Sequence, residues 1–262
     1  MSLTVRSAGI FALALGYYLF AQLGLLIPSV GPMVCLLWPP AGLSLVVLHR
    51  AGLGYWPGVW LGAFVTNASL CGWGESAIVS TGVTIAAVAA TSILRRLQFN
   101  REFHSIADAR SFLIAVAVAA TIAATVGTAV LYLFDALHGD PPRRAFLNWW
   151  LGDAGGMLVI APGLLAFSRT DLRRMRRDSK IRGLIASCLF LMAFGIVLYS
   201  GFVPTGRWAL PATFILILLV ARSASLYRIW PASLQITYLA GWVVWNNHNL
   251  SGPSVYLEPA IR

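Results

Sequence analysis

Long apolar runs follow one another along this chain, parted by short polar breaks. They fall at 8–27, 35–50, 55–71, 75–96, 111–134, 147–167, 183–203, 208–221 and 230–246. Runs of about 20 apolar residues are the signature of membrane-spanning helices. The pattern therefore predicts an all-α protein, a polytopic integral membrane helical bundle of about 9 transmembrane helices, with 8–10 as the range. The breaks carry helix-stopping chemistry. Pro28 ends the first run, and Asp140-Pro141-Pro142 interrupts any helix between the fifth and sixth. The eighth run is short, and the tail with Gly252-Pro253 is not helical by pattern. Residues 1–262 read as a single transmembrane domain with no soluble output domain.

Composition agrees: 58% of residues are hydrophobic and 11% charged. That is well below the roughly 25% charge of a soluble domain. The net charge of +10 raises the question of nucleic acid. Its placement answers it, because the Lys and Arg residues sit in alternate loops and no basic stripe interleaved with aromatics is present. Nucleic-acid binding is rejected. With the N-terminus in the cytoplasm, the inner side holds Arg6, Arg50, the arginines from Arg95 to Arg110, the basic run from Arg169 to Arg182, Arg222 and Arg228. The outer loops hold only Arg143, Arg144 and Arg207. This is a positive-inside pattern, and such loops lie near anionic headgroups. It predicts a bacterial inner (plasma) membrane protein with a cytoplasmic N-terminus and a periplasmic C-terminus. Any cytoplasmic output domain would need one more helix first. No cleavable signal peptide is evident, so the first run reads as a retained helix.

Candidate chemistry is sparse. An ionisable residue inside a span is costly, and Asp153 is the clearest case. It lies in Asn148-Trp149-Trp150-Leu151-Gly152-Asp153-Ala154-Gly155-Gly156, where small residues permit close helix approach. The plain alternative is a hydrated carboxylate within a turn of the outer surface. Trp38-Pro39-Pro40-Ala41-Gly42 reads equally as a tolerated first helical turn or as a broken helix end facing a cavity. Gly58 and Gly62 form a Gly-x-x-x-Gly contact pattern that mostly means packing, and Asn67 is placed to hydrogen-bond across helices or toward Asp153. Most of the ten tryptophans fall near span ends, as interfacial residues do. The candidate ligand or signal site is thus Asp153, Trp149, Trp150, Gly152, Trp38, Pro39 and Asn67. Cys35, Cys71 and Cys188 form no Cys-x-x-Cys pair and read as packing. The four histidines are scattered, no hydrolase or nucleotide-binding motif occurs, and no two carboxylates share a span. No catalytic residue, cofactor or metal is expected, and the chain is not expected to be an enzyme.

Taken together, Trp38-Pro39-Pro40-Ala41-Gly42, Trp56-Pro57-Gly58 through Asn67, Leu94-Arg95-Arg96-Leu97 and Trp149-Trp150-Leu151-Gly152-Asp153-Ala154 with Ala161-Pro162, in this order and spacing, resemble the MASE1 family of bacterial membrane-associated sensor domains. Gly252-Pro253 resembles the Gly-Pro near the family's end. The resemblance implies a sensory input module of signal transduction. Its partners would be the lipid bilayer and a signalling protein, a histidine kinase or diguanylate cyclase, or a second copy by self-association. One departure stands out. Family members often carry an Asn-Thr-Leu-Glu-like patch before the double arginine, where this chain has Val83-Thr84-Ile85-Ala86. The chain also ends before the family's final helix, so a stand-alone or truncated sensor is expected. Two readings from other classes remain. A small secondary transporter would use broken helices and a charge at the midplane, but Asp153 is expected nearer the outer face and no internal repeat is evident. An integral membrane enzyme ranks last, for want of a catalytic constellation.

Overall fold

A computed structural model describes residues 3–25, 37–137, 139–167 and 235–236. The described residues form six α-helices, α1 (Leu3–Leu25), α2 (Pro39–Ala51), α3 (Trp56–Ala68), α4 (Trp73–Arg96), α5 (Ile106–Leu133) and α6 (Pro142–Ala166), with a 3-10 turn at Leu53–Tyr55 between α2 and α3. They match the first six expected spans. The last three, at 183–203, 208–221 and 230–246, lie outside the described residues, apart from the helical pair 235–236. Contacts divide the chain into two units, Met1–Ala161 and Pro162–Arg262. The first unit holds the packed helices and the candidate site.

The helices are of two lengths. Four of them, α1, α4, α5 and α6, are long and apolar enough to cross a membrane. α2 and α3 have only 13 residues each, which covers about 20 Å at 1.5 Å per residue. Spans of normal length were expected there. α2 is shortened at its start: Trp38 is extended and Pro39 and Pro40 occupy the first turn, where a missing N–H is harmless. Between α2 and α3 the chain turns at Gly52, whose φ of 120° is open to glycine but strained for other residues.

α1 packs on α2 and α3, α4 packs on α2, α3 and α5, and α6 meets α5 and the start of α2. Small residues set these distances. Gly58 and Gly62 lie against α1, where a Cβ would stand 2.6 Å from the Ile10 carbonyl oxygen and 2.5 Å from the Tyr17 Cβ respectively. The expected packing role of that glycine pair is what the structure shows. α4 and α5 pack closely, with Gly82 of α4 against Val126 of α5, and both helices bury small residues, among them Ala86, Ala90, Ala115, Ala119 and Ala123. α5 begins with a reciprocal capping box: Ser105 Oγ accepts from the Asp108 amide and the Asp108 carboxylate accepts from the Ser105 amide.

One end of the bundle gathers positive charge. Arg6 Nη2 donates to the Gly54 carbonyl at 3.2 Å, and Arg95 Nη2 to the Leu48 carbonyl at 3.2 Å. The beginning of α1, the α2–α3 turn and the end of α4 therefore share an end, as the charge alternation requires. Arg143 and Arg144, at the start of α6, lie at the opposite end from the α4–α5 loop.

Candidate functional site

Asp153 is carried by α6 and is only 4% exposed. α6 starts at Pro142, five residues before the expected 147, so Asp153 is the twelfth residue of a 25-residue helix. That places it about 17 Å along the helix axis. Its side chain is almost wholly withdrawn from bulk solvent, and it lies about three turns from the start of its helix. Asp153 therefore stands near the middle of α6 rather than near its start.

Around the carboxyl group is a cavity of about 20 Å³ lined by Tyr17 of α1, Trp38 before α2, Ser44 of α2, Ala86 of α4, Ala119 of α5, and Asp153 itself. A space this size admits one water molecule. Tyr17 is 2% exposed. Trp38 Nε1 donates to the Tyr17 hydroxyl at 3.5 Å, a long bond. That arrangement leaves the Tyr17 O–H to donate into the chamber. Ser44 Oγ donates to the Pro40 carbonyl at 2.8 Å. Asp153 has no direct hydrogen bond or ion pair among the described residues. A buried polar group without a partner is costly, so a single water between Asp153 and Tyr17 is the economical complement to this cavity. Val83 and Ala86 both line the chamber. The family patch that this chain lacks would put an Asn and a Glu at those two positions. Their replacement leaves Asp153 as the lone carboxylate among the described residues that line the chamber.

The approach of α2 to α6 is backbone on backbone. The Trp38 amide donates to the Gly152 carbonyl at 2.9 Å. A Cβ on Gly42 would lie 2.5 Å from the Gly156 carbonyl oxygen, and one on Gly156 would run into the Trp38 carbonyl. Gly42, Gly152 and Gly156 thus let the Trp38-Pro39 segment lie directly on α6, one turn from Asp153. The Trp-Pro-Pro segment forms a first helical turn, and of its residues Trp38 borders the cavity.

The remaining expected residues divide. Trp149 packs its ring on Gly127, where a Cβ would stand 2.7 Å from the ring. Its Nε1 is buried without a partner among the described residues, as are Ser80 Oγ and Thr128 Oγ1. Trp150 faces outward, donating to Thr121 Oγ1 at 3.1 Å. Asn67 is not brought to Asp153; its amide donates to the Ala63 carbonyl of its own helix at 2.8 Å, and it does not line the chamber. Tyr17 was missed in the sequence because it sits in an apolar run beside Tyr18, and a tyrosine there carries no signal of its own. A larger groove of about 800 Å³ opens on the outer flank of α3 and α4, between Trp56, Trp60, Thr81 and Ile85. None of the described residues lining it is charged. Since Trp149 Nε1 bonds to nothing among the described residues, Trp149→Phe is expected to leave stability within about 1 kcal/mol of wild type or raise it. A thermal melt showing a clear loss would mean that the indole N–H has a partner.

The MASE1 family profile matches residues 10–260, nearly the whole chain. The chain is similar to the probable diguanylate cyclase DgcE of Escherichia coli (strain K12), 27% identical over 224 residues, covering 83% of this chain and 19% of the relative. The chain therefore spans about a fifth of that relative's length. No solved structure matches.

Proposed function

The chain belongs to the MASE1 family of membrane-associated sensor domains, a sensory input module of signal transduction, and on that premise we propose that it registers its stimulus at the Asp153 chamber. The observation carrying this is a carboxyl group that is 4% exposed, lines a cavity of about 20 Å³ and has no direct partner among the described residues. α1, α2, α4, α5 and α6 all contribute to its walls. A change in what Asp153 holds therefore acts on five helices at once. A stimulus that favours one arrangement of them over another shifts their populations. Such a shift acts on the contact between Gly42 and Gly156, where α2 and α6 approach closely, beside the Ile160 side chain.

The module sits in the bacterial inner membrane with the arginine-rich end of the bundle toward the cytoplasm. It passes its state to a signalling output of the kind its relative's name records, a diguanylate cyclase, or to a histidine kinase. The test is a chimera in which this chain replaces the matching region of the Escherichia coli relative. Cyclic diguanylate in cells is the readout. Asp153→Asn is expected to change the basal output severalfold at equal membrane abundance. Equal output from the two chimeras would remove Asp153 from the site.

A further inference from the structure

We propose that Arg50, Arg95 and Arg101 form a headgroup site for an anionic phospholipid at the basic end of the bundle. Arg95 Nη2 donates to the Leu48 carbonyl at 3.2 Å, two residues before Arg50, and Phe99, two residues before Arg101, packs its ring on His49 at 5.7 Å, so all three lie at the same end around His49. Two of the three have a simple explanation. Arg50 and Arg95 end α2 and α4, where basic residues favour the helix C-terminus. Arg101 has no such reason to be there. It belongs to the loop between α4 and α5, and that loop is built to hold it.

Phe99 anchors the loop, with ring centroids 5.7 Å from His49, 5.0 Å from Phe103 and 6.1 Å from Phe112. Gln98 and Phe103, on either side of Arg101, have φ of 50° and 51°. Non-glycine residues adopt this left-handed form at a cost that the surroundings must impose. Asp108 accepts from the Asn100 and Ser105 amides at 2.8 and 2.9 Å, and Glu102 pairs with His104 at 3.0 Å. A strained, aromatic-pinned loop thus sets Arg101 at the same end of the bundle as Arg50 and Arg95. Guanidinium groups clustered in this way suit a phosphate, which each can meet with paired donors.

The source of the phosphate follows from the surroundings. Leu97 and Ile106 flank the same loop and are exposed, Ile106 to 90%. They stand at the ends of helices long enough to cross a membrane. Apolar side chains beside a phosphate site offer a seat for acyl chains, which a free phosphate does not need. A phospholipid with a net negative headgroup satisfies both features.

Native mass spectrometry of the full chain in detergent, offered phosphatidylglycerol and phosphatidylcholine in equal amounts, tests this. Wild type is expected to retain phosphatidylglycerol preferentially. The preference is expected to fall roughly fivefold per arginine removed in Arg101→Gln and in the double variant R95Q/R101Q. R143Q/R144Q, at the other end of the bundle, is expected to keep it. Arg101 is an exposed loop residue, so Arg101→Gln remains informative if loss of the Arg95 bond to Leu48 disturbs the double variant. No preference in wild type, or an equal preference in Arg101→Gln, overturns the proposal. Displacement of the lipid by inorganic phosphate also overturns it, in favour of a site for free phosphate.

Discussion

Gly156→Ala is expected to lower the thermal midpoint of the protein by on the order of 10 °C. The added methyl group runs into the Trp38 carbonyl and comes within 3.3 Å of the Pro39 nitrogen. Both neighbours are backbone, so no rotamer change relieves the clash. α2 must back away from α6, and the hydrogen bond from the Trp38 amide to the Gly152 carbonyl, 2.9 Å long, is lost with it. Overpacking of this kind costs about 1–3 kcal/mol, and the lost bond about 1 kcal/mol more. At about 2–4 °C per kcal/mol for a chain of this size, the sum reaches that shift. Gly74→Ala is the control, because a Cβ there meets nothing within 4 Å. Melting both variants in the same detergent decides the matter. An unchanged midpoint for Gly156→Ala would mean that the Trp38-Pro39 segment does not lie on α6.

Asp153→Asn is expected to act in the opposite direction on stability while abolishing the response. The carboxyl group is almost wholly out of water, and among the described residues nothing bonds to it directly. Holding a charged group in such surroundings costs several kcal/mol before partners are counted. The isosteric amide cannot ionise, fits the same space, and keeps an oxygen and a nitrogen to meet a water or the Tyr17 hydroxyl. A gain of about 1–3 kcal/mol is expected, read as a higher thermal midpoint in purified protein. Natural proteins tolerate such a cost where function needs it. A midpoint lower than wild type by a similar amount would show that the carboxylate has a strong partner, and the chamber would then be a structural joint.

Much of the bundle was legible in the sequence, and the failures are instructive. Hydropathy located all six described helices, because apolar runs bounded by arginine, glycine and proline leave little choice. It overestimated α2 and α3. A run of apolar residues records burial or lipid contact but not length in the helical state, and Pro39 and Pro40 cut α2 short by acting at its first turn. Asp153 stood out because a lone carboxylate among apolar residues always does. Trp38 and Pro39 stood out because two prolines in an apolar run need a reason. Asn67 was a plausible partner by type, but a side chain at that position reaches its own helix carbonyl first. Tyr17 lines the chamber without any mark in the sequence, while Val83 and Ala86, which also line it, were marked only as a departure from the family patch. Their role comes from the helix rotations that Gly58 and Gly62 fix on α1, and that the small residues fix between α4 and α5.

Those small residues limit how the bundle can move. Alanine and glycine have no side-chain rotamers to lose on burial. Where alanines and glycines make the α4–α5 contact, it forms without a side-chain ordering cost and leaves no rotamers into which that part can repack. Along those small residues α4 and α5 can move only as rigid bodies, which makes the pair a natural reference against which the short helices shift.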